Sequence, residues 1–142
     1  MQARLTVRAD AAAVPQMEDF VAAFAAQHGL EADDTARISI LLEELLTNLA
    51  KHGYPARSEP GVAEIGLELE GTRLTIELVD DGRAFDPFAQ PAPNLDLPPE
   101  DRPLGGLGIP ILRALTEEAH YRRSHDRNVV RLVRRIALVP RP

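Results

Sequence analysis

Glu44, Asn48 and His52 stand four residues apart in the stretch LLEELLTNLAKHGYP, residues 41–55. In a helix that spacing lines one face at about 6 Å per step. A carboxylate so placed can take up a proton, and an amide oxygen is a hard ligand for a divalent cation. The same spacing also describes the polar face of any amphipathic helix, so the cluster alone does not make a site.

Two later stretches offer complementary chemistry. In VDDGRAFDPF, residues 79–88, Asp80 closes an apolar run and Gly82 allows a sharp turn with exposed backbone. A buried carboxylate at that point can accept a hydrogen bond from an exocyclic amine; the plainer reading is a strand-ending Asp-Gly turn. Gly105-Gly106-Leu107-Gly108 precedes a helical pattern. Glycines there let main-chain N–H groups approach an anion at a positive helix end. The stretch is neither a P-loop nor a dinucleotide fingerprint, because G-x-x-x-x-G-K-[ST] and G-x-G-x-x-G are both absent.

The elements that must carry these groups follow from periodicity. Alternation from Ala3 to Ala9 predicts a half-buried strand, and Asp10 is an N-cap-type residue before a helix over Val14–His28. Asp33 or Asp34 is placed to cap a second helix with Ile38, Leu41, Leu42, Leu45 and Leu49 as its core stripe, ended by Gly53 and Pro55. Ile65, Leu67 and Leu69, then Leu74, Ile76 and Leu78, predict two strands joined by a hairpin at Glu70-Gly71. From Phe88 to Pro103 the periodicity stops and prolines crowd, which predicts a long loop. A helix over Ile109–Glu118 with Ile111, Leu112 and Leu115 inward follows. A last hairpin turns at Asp126-Arg127-Asn128, with its second strand from Val129. The order β-α-α-β-β-loop-α-β-β predicts an α+β two-layer sandwich: a mixed, mostly antiparallel sheet with helices on one face.

Composition narrows the function classes. The 142 residues read as a single domain, and zero cysteines exclude disulfides, thiolate nucleophiles and cysteine metal sites. A net charge of −6 argues against direct nucleic-acid binding. The local exception, Arg122, Arg123, Arg127, Arg131, Arg134 and Arg135, reads as a solvated strand face. With neither an export pattern nor a membrane-length apolar run, a cytoplasmic location is expected.

Taken together, the three stretches resemble in order and spacing the GHKL (Bergerat-fold) ATP-binding superfamily of gyrase, histidine kinases and MutL. Within it the chain looks like the small anti-sigma-factor serine kinases of the RsbW type. Glu44-x-x-x-Asn48 with His52-Gly53-Tyr54 is similar to the N box. Asp80-x-Gly82-x-x-Phe85-Asp86-Pro87 is similar to the first glycine box, and Gly105-Gly106-x-Gly108 to the second. The resemblance implies ATP and Mg2+ as cofactors, with Asn48 on the Mg2+, Glu44 as general base and Asp80 on the adenine amine. Gly82 and Gly105, Gly106, Leu107 and Gly108 would surround the nucleotide, and residues 88–103 would form a lid in which Arg102 is a candidate for the terminal phosphate. Two departures stand out: Ala84 replaces a common glycine beside the nucleotide. Arg127-Asn128 occupies the place of Gly-Thr, where Asn128 offers a hydrogen bond near the adenine instead of a hydroxyl. The implied partners are a STAS-class anti-anti-sigma protein, as phosphorylation substrate, and a sigma factor. A homodimer is a further possibility, with exposed sheet edges as one physical route. The alternative function is an ATP-gated regulatory binding protein with little or no kinase activity.

Overall fold

In a computed structural model, which describes residues 2–10, 12–53, 61–89, 96, 98 and 108–140, the predicted order of elements forms. It runs β1 (Gln2–Arg8), α1 (Ala13–His28), α2 (Ala32–His52), β2 (Val62–Glu70), β3 (Arg73–Asp80), a 3-10 turn (Pro87–Ala89), α3 (Gly108–Ala114), β4 (Glu118–Ser124) and β5 (Arg127–Arg135). The strands form one sheet in the order β1-β2-β3-β5-β4, and all of these pairings are antiparallel. This is the α+β architecture expected, without a parallel pair among the described strands.

Strand parity explains the two layers. In β3, Leu74, Ile76, Leu78 and Asp80 are buried while the residues between them are half-exposed. Register places Ile65 and Leu67 of β2, and Val130 and Leu132 of β5, on the same face. That face meets Met17, Val21 and Phe24 of α1 and the predicted stripe of α2 in one core. Among the described residues no helix is long and apolar enough to cross a membrane.

Local chemistry departs from expectation at the element ends. Asp10 does not cap α1; its Oδ1 accepts the N–H of Ala12 two residues on, and Ala12 takes the cap position without a side-chain bond. Neither Asp33 nor Asp34 caps α2, which starts at Ala32 behind Glu31. Asp34 is drawn inward by a stronger partner: its Oδ1 accepts Nε and Nη2 of Arg134 at 3.2 and 2.9 Å, and its Oδ2 accepts the N–H of Ala137 at 2.9 Å. Arg134 also donates to the carbonyl of Leu115 at 2.7 Å, so it does not belong to the solvated basic face.

The first hairpin turns at Gly71-Thr72, one residue later than expected, between the paired Glu70 and Arg73. The helix α3 is shorter than predicted. Thr116 donates its hydroxyl to the carbonyl of Leu112, and the chain enters β4 at Glu118. Leu112 is fully buried and Leu115 packs against the core, but Ile111 faces solvent. The last hairpin turns at His125-Asp126, both with positive φ (51° and 60°). Two such residues give the strand twist a two-residue hairpin favours, and His and Asp tolerate that conformation. Arg127 and Asn128 therefore belong to β5, and Asn128 lies directly opposite Asp80.

Candidate functional site

The C-terminal half of α2 and the ends of β3 and β5 converge on one pocket. Its lining includes Leu45, Asn48, Leu49, Leu78, Asp80, Phe85, Asn128 and Val130, with about 370 Å³ of empty space, part of it open to solvent. An apolar floor with a few polar groups is the composition expected of a small-molecule site. The floor is built from the stripes that make the core, so its polar residues sit on rigid elements.

Asp80 is buried, at 6% exposure. Its Oδ1 accepts the Gly82 N–H at 2.8 Å and Nδ2 of Asn128 at 3.0 Å. Among the described residues no fully buried side-chain oxygen or nitrogen lacks a partner. Among the described residues Asp80 Oδ2 accepts no hydrogen bond, and the side chain lines the pocket. Burial pushes the Asp80 carboxyl above its usual range; the hydrogen bonds from Asn128 and Gly82 oppose that, the neighbouring Asp81 adds to it, and Arg123 opposes it. A desolvated carboxylate that, among the described residues, touches no cation and leaves one oxygen without a hydrogen bond is suited to a neutral N–H donor such as an exocyclic amine.

Close approach of two glycines makes the turn possible. A Cβ on Gly82 would lie 2.8 Å from the carbonyl oxygen of Gly53 and 2.9 Å from Oδ1 of Asp80, and one on Gly53 would lie 2.6 Å from Cδ1 of Leu49. Gly53 (φ −76°) is thus selected by contact, not by the left-handed conformation expected of a helix-ending glycine. The strap after Gly82 is tied to the end of α2. Arg83 donates its N–H to the Gly53 carbonyl at 3.0 Å and its Nε to the His52 carbonyl at 2.6 Å. The His52 ring stacks on Phe85 with centroids 5.0 Å apart. His52 is therefore placed as a packing partner at the helix end.

The candidate residues are distributed unevenly around this centre. Asn48 is buried in the pocket wall, on the same helix face as Glu44, which lies one turn earlier, half-buried and outside the lining. Gly82 is buried beside Asp80, whereas Ala84 is exposed on the strap. Gly108 is the first residue of α3. Arg102, Gly105, Gly106 and Leu107 lie outside the described residues, as does most of the stretch expected to form a lid. Among the described residues no group of three or more His, Asp or Glu could hold a metal ion. Asn48 offers an amide oxygen at the pocket wall, a hard donor of the kind Mg2+ takes alongside phosphates and water.

Asn128, expected to offer a hydrogen bond near the adenine, instead gives its amide to a polar frame behind Asp80. Asn128 is 3% exposed and binds four groups. Tyr121 donates its hydroxyl to the Asn128 Oδ1, and Arg123 donates Nη1 to the Gly82 carbonyl at 2.8 Å. The available signal was parity: Asn128 shares its face with Val130 and Leu132.

Comparison with known proteins identifies the family and the fold. A family model described as a histidine kinase-like ATPase domain matches residues 7–134. An anti-sigma F factor of Thermoanaerobacter sp. (strain X514) is 28% identical over 98 residues, 69% of this chain and 67% of that protein. The serine-protein kinase RsbW of Staphylococcus epidermidis is 31% identical over 98 residues, 63% of this chain and 59% of that protein. These alignments span two thirds or less of those relatives' lengths. In fold, the chain is similar to the RsbU and RsbW domains of a Mycobacterium tuberculosis protein. The TM-score is 0.68 at 18% identity, over 96% of this chain and 32% of the other. A blue-light activated histidine kinase of Erythrobacter litoralis gives 0.54 at 22% identity, over 75% and 32%.

Proposed function

We propose that this chain, which belongs to the histidine kinase-like ATPase domain family, binds Mg·ATP and acts as a serine/threonine protein kinase of the anti-sigma type. Its substrate is a STAS-class anti-anti-sigma protein, and its regulatory target is a sigma factor held or released by partner switching. The observation that carries the reading is the buried Asp80 carboxylate, with Oδ2 uncommitted, in a pocket that Asn48 also lines. The relatives named as anti-sigma factor and serine-protein kinase support the partner class.

In this reading Asp80 accepts the adenine amine, and the apolar floor of Leu45, Leu49, Leu78 and Val130 takes the face of the base. Gly82 lets the backbone come close, with Ala84 beside it on the strap. Asn48 would hold Mg2+, which would supply neutralisation of the phosphate charge. By the family resemblance Gly105, Gly106, Leu107 and Gly108 would surround the phosphates, and Arg102 is the candidate for the terminal one. Glu44 takes the proton from the substrate hydroxyl as its oxygen bonds to the γ-phosphorus and ADP departs with the bridging oxygen. Phosphoryl transfer asks mainly for positioning and charge neutralisation, which a pocket on rigid elements supplies.

The test is phosphate transfer from labelled ATP to a STAS-class protein encoded nearby. Glu44→Gln is expected to keep Mg·ATP binding while transfer falls at least ~100-fold, the usual contribution of a positioned base. Unchanged transfer removes Glu44 from that role. ATP binding with no transfer by the wild-type chain leaves the gated binding protein as the function.

A further inference from the structure

Asn128 has spent every hydrogen-bonding group it owns. Its Nδ2 donates to Oδ1 of Asp80 at 3.0 Å and to the carbonyl of Arg83 at 2.7 Å. Its Oδ1 accepts the N–H of Phe85 at 3.2 Å and the hydroxyl of Tyr121 at 2.5 Å. A primary amide has two donors and two acceptor sites, so nothing remains for a ligand. The network also fixes which way the amide points, because the Arg83 carbonyl requires a donor and the Phe85 N–H an acceptor.

These four bonds join side chains and backbone of β3, β4 and the strap through one amide. One partner is the carboxylate at the end of β3. Two belong to the strap over residues 83–85, which is itself bound to the last turn of α2 through Arg83 and the His52–Phe85 stack. The last is Tyr121 of β4. Rotation of the Asp80 carboxylate is blocked at Oδ1 from both sides, by Asn128 and by Gly82.

We infer that Asn128 is a positioning residue for base selection: it commits Asp80 Oδ1 to the protein, leaves Oδ2 as the oxygen of that carboxylate available to a ligand, and clamps the strap over residues 83–85 beside it. This rests on the nucleotide reading and goes beyond it. Asn128 forms no hydrogen bond to the base and acts through Asp80 alone. An acceptor held in one orientation favours a 6-amino purine, which brings a donor, over a 6-oxo purine, which brings an oxygen and leaves the buried carboxylate unpaired.

The experiment compares the affinities of Mg·ATP and Mg·ITP by calorimetry for the wild-type chain, Asn128→Ala and Asn128→Asp, with thermal melting of each. The aspartate variant is isosteric and retains the shape of the core if the alanine variant fails to fold. It turns an oxygen toward Asp80 and the Arg83 carbonyl in place of the donor. In wild type, ATP is expected to bind more tightly than ITP. In either folded variant the ATP/ITP ratio is expected to fall about tenfold, the worth of one lost orienting hydrogen bond. A purely architectural role would lower the melting temperature, or weaken both nucleotides equally, and leave the ratio as it was; that result overturns the inference. Wild-type binding of ATP with an unchanged ratio in the variants refutes Asn128 alone. Failure of the wild-type chain to bind either nucleotide refutes the nucleotide reading as well.

Discussion

Asp34 and Asp80 are equally buried, each at 6% exposure, yet their environments differ in kind. Asp34 spends both oxygens on the protein, with two donors from Arg134 and one from Ala137. It fastens the start of α2 to β5, and through the Arg134 contact with Leu115 it also holds the end of α3. Among the described residues Asp80 spends one oxygen only and contacts no cation, and burial raises its carboxyl. A saturated buried acid holds a fold together; an acid left half-saturated at a pocket is maintained at a cost and marks a site.

The comparison breaks most sharply if Asp34 is truncated. Asp34→Ala leaves the Arg134 guanidinium without its carboxylate, and a loss of about 3 kcal/mol or more in unfolding free energy is expected. Chemical denaturation measures it, and Mg·ATP affinity of the folded fraction is expected to change less than about twofold, since distant sites behave additively. Asp80→Asn should do the reverse. Affinity for Mg·ATP is expected to fall about 100-fold as the acceptor facing the base is replaced by a donor, while the melting temperature at neutral pH equals or exceeds that of wild type.

The pH dependence sharpens this contrast. Because the folded carboxyl of Asp80 is raised above 3.8, the folded state holds its proton more tightly than the unfolded chain. The stability from this group is fully present below 3.8 and is lost as pH rises through the folded value. The advantage of Asp80→Asn over wild type should therefore shrink on acidification toward pH 3.8. Nucleotide affinity of wild type should weaken over the same window, as protonation removes the acceptor. Melting and titration across that range check both. The smallest effect belongs to Tyr121→Phe. It removes one of two donors to Asn128 Oδ1 from a half-buried position and should cost about 1 kcal/mol or less of stability.

Much of the architecture was legible because it is periodic. Alternation in Ile65, Leu67 and Leu74, Ile76, Leu78, and the Ile38–Leu49 stripe of α2, identify the layers without help from tertiary structure. What escaped was decided by partners distant in sequence. Asp34 reads locally as a cap because its real partner, Arg134, is 100 residues away. Asn128 reads locally as a turn residue beside Asp126 and Arg127, whereas the hairpin needs only His125 and Asp126 to turn. Ile111 reads as core beside Leu112 and Leu115, but it lies on the exposed side of α3. Asn48, Asp80 and Gly82 were recognisable from motif spacing, but that Asp80 keeps one oxygen open follows only from the bonds around it.

The central claim is that Asp80 Oδ2 receives the amine of an adenine nucleotide. Titration calorimetry of Mg·ATP into the wild-type chain and into Asp80→Asn, both confirmed folded by melting, tests it most directly. Saturable one-to-one binding by wild type, weakened about 100-fold in the variant, is the predicted result. Equal binding by both proteins, or none by wild type, would contradict it.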